Sequence, residues 1–117
     1  MFKSVEYVGF ESNTELRAKA EQLTSVLANE IRRWREDVQV GWSPQRDSFN
    51  GALNLTLSLT LPNGISGTHT ETFIHGDFRE DWLQRSRCRR AWDGLLGILL
   101  EKQQVRTQEY LSEPVEV

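Results

Sequence analysis

The chain is short of the residue types from which catalytic and metal sites are usually built. Among 117 residues there is one cysteine, Cys88, and there are two histidines, His69 and His75. A lone cysteine excludes an internal disulfide and agrees with a reducing compartment, here expected to be the cytoplasm. Zinc sites draw on several Cys and His ligands, and two histidines six residues apart do not supply one. No G-x-G-x-x-G and no G-K-[ST] loop is present to cradle a phosphate. No apolar run approaches the roughly 20 residues that a membrane helix needs. The opening Met1-Phe-Lys-Ser-Val-Glu-Tyr7 lacks the apolar segment of a secretory signal. Internal repeats, low-complexity tracts and linkers are absent too. The expectation is one domain over residues 1–117, with its ordered core over about 3–105, no cofactor, no metal and no membrane partner.

Charge of one sign is also scarce: 14 basic against 17 acidic residues give a net charge of −3. Nucleic-acid binders are more often basic overall. The distribution is uneven, however. Between Asp81 and Asp93 the charges are Arg85, Arg87, Arg89 and Arg90, whereas the tail from Glu109 to Val117 carries three acids and no base. A local basic face on an acidic molecule is therefore an option.

What is abundant is leucine at alternate positions. Leu53, Leu55, Leu57, Leu59 and Leu61 interleave with Asn54, Thr56, Ser58 and Thr60. Side chains on a strand point to opposite faces with period two, so this is a strand with one leucine face and one wet face. Pro62-Asn63-Gly64 comes next, and Asn-Gly suits the positive φ angles of a tight hairpin turn. Ile65 to Ile74 then returns as the partner strand. Lys3 to Phe10 reads as a first strand and Val38 to Trp42 as a second.

Two helices are expected to roof the leucines. Ser12-Asn-Thr-Glu15 has the form of a capping box. Behind it, Leu16, Ala20, Leu23, Leu27, Ile31 and Trp34 recur every three or four residues, which predicts a helix from about Asn13 to Arg35. Asp77 and Glu80 repeat the capping logic before a second helix whose apolar arc is Cys88, Ala91, Trp92, Leu95, Leu96, Ile98 and Leu99. Gly94 and Gly97 interrupt that arc and read as places of close approach to the sheet or the first helix. The order β-α-β-β-β-α predicts an α+β two-layer sandwich, a four-stranded sheet with both helices on one face.

Catalytic patterns are weak. Cys88 lies on the apolar arc, where a free cysteine behaves as a small hydrophobe. Asp77, Glu80 and Asp81 cluster at a helix start, where acids answer the helix dipole. The basic residues are the better candidates for binding, because the planar guanidinium donates two parallel hydrogen bonds to phosphate. Trp42, just before the long loop Ser43 to Gly51, and Phe49 within it would form a partner surface if exposed. The open polar face of the sheet and a free edge strand are further surfaces for a protein partner or a second copy.

The helix Leu16-Arg-Ala-Lys-Ala-Glu-Gln-Leu, the strand Asp37-Val-Gln-Val, the hairpin Leu57-Ser-Leu-Thr-Leu-Pro-Asn-Gly64, and Gly76-Asp77 leading to Asp81-Trp82 together resemble the ribosome hibernation-promoting factor family. These are also called ribosome-associated inhibitor or light-repressed proteins. The likeness spans about Val5 to Gln103. It implies the same β-α-β-β-β-α fold and binding to ribosomal RNA of the small subunit. Carried over, phosphate contact falls to Arg17, Lys19, Arg85, Arg87, Arg89 and Arg90.

Overall fold

The computed structural model describes residues 1–45 and 51–112, with the backbone alone at position 75. Its elements are β1 (Ser4–Tyr7), α1 (Thr14–Glu30), β2 (Val38–Pro44), β3 (Leu53–Thr60), β4 (Ser66–Phe73) and α2 (Asp81–Ser112). One-turn 3-10 helices precede β2 (Arg35–Asp37) and α2 (His75–Phe78). The sheet order is β1-β2-β3-β4, with β1 parallel to β2 and the other pairs antiparallel. A parallel pair needs a crossover, and α1 supplies it. Leu53, Leu55, Leu57 and Leu59 are buried in one cluster with Leu16, Leu23 and Leu27 of α1 and Cys88, Leu95 and Leu99 of α2. The chain is thus the expected two-layer α+β fold, with both helices on the leucine face.

The local boundaries depart from the sequence reading for physical reasons. The N-cap of α1 is Asn13, not Ser12; its Oδ1 accepts from the Leu16 amide at 3.0 Å. The helix stops at Glu30 rather than near Arg35, although Ile31 stays fully buried. Apolar spacing continues past the end because Ile31 packs inward from an extended backbone. Arg35 Nε donates to the Ile31 carbonyl at 2.8 Å, and Trp34 adopts a left-handed φ of 67° that reverses the chain toward β2. Such a conformation costs a bulky residue on the order of 1–3 kcal/mol. The hairpin turn is three residues long: Pro62 fixes its first φ, and Gly64 alone takes the positive φ, at 89°. Asp77 caps the 3-10 turn rather than α2, accepting from the Ile74 amide at 2.8 Å.

The largest departure is α2. Its 32 residues run unbroken to Ser112, about 48 Å at 1.5 Å per residue. The acidic tail expected from Glu109 is therefore helical as far as Ser112, and residues 113–117 lie outside the described ones. Burial ends at Leu99. Beyond it the hairpin tip is tied on by polar contacts: Lys102 Nζ to Ser66 O at 2.7 Å, Arg106 to Asn63 O at 2.9 Å, and Asn63 Nδ2 to Gln103 Oε1 at 2.9 Å. Past Arg106 the helix stands clear of the domain. The radius of gyration, 17.0 Å, exceeds the ~13–14 Å of a compact chain of this length.

Candidate interaction surface

The six basic residues singled out in the sequence do not form one face. Arg17 sits at the β1 side of the helix layer, 5.1 Å over the Tyr7 ring and 3.3 Å from Glu21. Lys19 lies 5.2 Å over the Phe78 ring. Arg87 and Arg90 point to the opposite edge, over β4, where both meet Glu71 at 3.8 Å. Arg89 pairs with Asp93, one turn on, at 3.6 Å. Arg85, like Lys19, has no ion pair among the described residues, and it has no ring contact either. It lines a cleft of about 290 Å³ between the two helices, with Gln22, Val26, Asn29, Asp81 and Gln84.

The acids that take these arginines come from an unexpected place. Register sets His69 opposite Leu57 and Glu71 opposite Leu55. Both therefore project from the core face of β4, under α2, while Thr68, Thr70 and Thr72 take the wet face. His69 Nε2 lies 3.1 Å from Glu71 Oε1. Arg87 Nη2 donates to Thr72 O at 2.7 Å, and its Nε stands 3.4 Å from Asp77 Oδ2, too far out of line for a hydrogen bond. The cluster clamps α2 to the sheet edge. It also guards that edge: Lys102 and Arg87 occupy the Ser66 and Thr72 carbonyls, and inward-pointing charge opposes a further strand. At the other edge β1 is only four residues long.

Two further surfaces are accounted for. Trp42, expected beside a partner, is 1 % exposed. Its parity places it with the leucines, its ring packs edge-on to Phe73 at 5.6 Å, and its Nε1 donates to Thr24 Oγ1 at 2.9 Å. Phe49 lies outside the described residues. The open sheet face satisfies itself, through Thr56–Thr70 at 3.2 Å, Ser58–Thr68 at 3.0 Å and Thr72–Asn54 at 2.9 Å. Cys88 is fully buried, and burial, with Glu30 nearby, pushes its thiol up to about 12. Among the described residues no three His, Cys, Asp or Glu side chains converge as a metal site, and no helix is long and apolar enough to cross a membrane.

What stands open is α2. At its start Trp82 is 60 % exposed. Past the core, Leu100 (70 % exposed), Val105 (47 %), Tyr110 and Leu111 (75 %) have no cover. Ile98, Glu101, Lys102, Val105, Arg106 and Glu109 line a shallow apolar groove of about 380 Å³ along one side. The sequence signal for this surface is faint, because two leucines and a valine among glutamines and charges make no regular stripe. Comparison with known proteins returns no matching family, no similar curated sequence and no similar solved structure.

Proposed function

We propose that this domain is a non-catalytic self-association module whose contact surface is α2 from Ile98 to Ser112. One observation carries the reading: three turns of helix persist beyond the last core residue, with apolar side chains in the open. Isolated helices of about 12 residues are marginal in water, so a partner helix would stabilise this one. The expected routes through an edge strand or the open sheet face have less support, since the edges are short or guarded and the face is polar and internally bonded. Sedimentation velocity over about a hundredfold concentration range tests it, because mass action must shift an association of this kind. The expected result is a dimer fraction that grows with concentration and vanishes when Leu100, Val105 and Leu111 are all changed to glutamate. A strict monomer throughout would remove the reading.

Binding to RNA, with the small ribosomal subunit as the partner the resemblance implies, is a second reading. It is favoured by Trp82, Arg85 and Arg89, all exposed on α2 at spacings of three and four. Exposed tryptophan stacks on bases and arginine meets phosphate. Cosedimentation with small ribosomal subunits at low salt, lost in Trp82→Ala and steeply weakened by added salt, is the expected result. No association at low salt would dispose of it.

A further inference from the structure

We infer that the α2 extension docks on a second copy of itself, antiparallel, with Leu100 packed on the partner's Leu111 and Leu111 on the partner's Leu100. This rests on the self-association reading and adds a face, a direction and a register. A helix advances by about 100° per residue, which divides the extension into two sides. One side carries Ile98, Glu101, Lys102, Val105, Arg106 and Glu109. It continues the side of α2 that rests on β4, where Gly94 lies over His69 and Ile98 lies beside Gly67. Lys102 and Arg106 are bonded there to the hairpin. The other side carries Leu100, Gln103, Gln104, Thr107, Tyr110 and Leu111, all exposed. Every charge between Leu99 and Ser112 falls on the first side, so the second is neutral throughout.

The neutral side selects its partner. A charged surface docked there would lose water without gaining a counter-charge, whereas the same side of a second copy is equally neutral. The spacing is also self-complementary. Leu100, Gln104, Thr107 and Leu111 are four, three and four residues apart, the same read from either end. A twofold axis between residues 105 and 106 therefore lays leucine on leucine at both ends and sets Gln104 beside the partner's Thr107, as a C2 contact requires. Gln104 and Gln108 have no hydrogen-bond partner among the described residues. The same register brings Gln104 to the partner's Gln108 along one flank, and an amide both donates and accepts. Tyr110 lies on the other flank, beside the partner's Gln103. The hairpin tip, held by Gln103 and Arg106, sits about a quarter-turn from the leucines and leaves them clear. Direction follows from the body of the domain. Leu96 precedes Leu100 on the same side and is already packed against the core, so a parallel copy would press two domains together at that end. In the antiparallel pair the helices overlap only beyond Leu99, and the two domains sit at opposite ends.

Cross-linking tests the register. Leu100→Cys and Leu111→Cys keep a small apolar side chain at each site, and Cys88 is buried in every chain. A disulfide needs Cβ atoms about 4 Å apart. Under oxidised glutathione, the two variants mixed should form a disulfide between position 100 of one chain and position 111 of the other. Each variant alone should stay unlinked, because eleven residues of helix, about 16 Å, separate the two like positions. In sedimentation equilibrium Leu100→Glu should weaken the dimer by at least about tenfold, by burying an unpaired carboxylate, whereas Val105→Glu, on the other side, should stay within about threefold of the parent. Circular dichroism melts confirm folding of each variant. Either variant linking to itself overturns the direction. A dimer indifferent to Leu100→Glu, or one that links in no arm, overturns the face; both results leave self-association standing. A parent chain that never dimerises overturns this geometry and the self-association reading together.

Discussion

Gly94 of α2 lies directly over the imidazole of His69 on β4: a Cβ at position 94 would come within 2.5 Å of Nε2 and 2.8 Å of Cδ2. The ring fills the space a side chain would need, and its bond to Glu71 keeps it there. Gly97, one turn on, has nothing within 4 Å of the same position. The two glycines, which look alike in the sequence, should respond oppositely to alanine. Gly97→Ala should stabilise by up to ~1 kcal/mol through helix propensity. Gly94→Ala should destabilise by about 1–2 kcal/mol, because overpacking outweighs that gain. Urea unfolding of both variants checks the sign.

The Thr24 hydroxyl is fully used. It donates to Ala20 O at 2.8 Å and accepts from Trp42 Nε1 at 2.9 Å, leaving its second lone pair for Tyr7 OH at 3.1 Å. Thr24→Val keeps the shape and orphans a buried indole N–H. The expected loss is about 1–3 kcal/mol. Tyr7→Phe removes a partner that water can replace and should cost under ~1 kcal/mol. Denaturant midpoints followed by tryptophan fluorescence separate the two.

Arg87 holds Glu71, Asp77 and the Thr72 carbonyl together at the sheet edge. Arg87→Met keeps the stem but takes the guanidinium from two carboxylates, 14 % and 12 % exposed, leaving Glu71 to Arg90 and Asp77 with no cation among the described residues. A loss of about 2–3 kcal/mol is expected in urea unfolding, below the ~3–5 kcal/mol of a fully buried pair, because Arg87 keeps some solvent contact. Arg89→Met, removing an exposed pair on the same helix, should change stability by under ~0.5 kcal/mol.

Cys88 sets a pH dependence. Its folded pKa, raised to about 12 from an ordinary 9.0, favours the protonated thiol in the native state. Its contribution grows from pH 9 to 12, where the unfolded thiol ionises first and the native thiol stays protonated, so the unfolded state gains by releasing its proton. Stability therefore falls across that window, with a slope approaching about 1.4 kcal/mol per pH unit. Cys88→Ala should lack this component in pH-dependent unfolding. At pH 8 the native thiol should react with a thiol reagent only as fast as the domain opens.

The architecture was legible where periodicity is strong. The leucines of β3 announce their own face, and the spacing of Leu16, Ala20, Leu23 and Leu27 does the same for α1. Boundaries were less so. Ser12 and Asn13 can both cap, and backbone geometry chooses between them. The run Glu101 to Ser112 has no apolar stripe to predict a helix, yet Glu, Lys, Gln and Arg are good helix formers and extend one already begun. The pairing of the arginines was hidden because their acids lie on β4, amid threonines that suit a strand. Counting back across the hairpin would have placed His69 and Glu71 inward with the leucines. Only the fold brings Arg87, far along the chain, over them.

Amide hydrogen exchange read as a function of protein concentration addresses the central claim most directly, since it reports where association occurs as well as whether it does. Self-association through α2 predicts that amides from Glu101 to Ser112 gain protection as concentration rises, while those of the open Thr56–Thr70 face do not change. Exchange in that segment that stays fast at every concentration, or protection that grows on the sheet face instead, would contradict it.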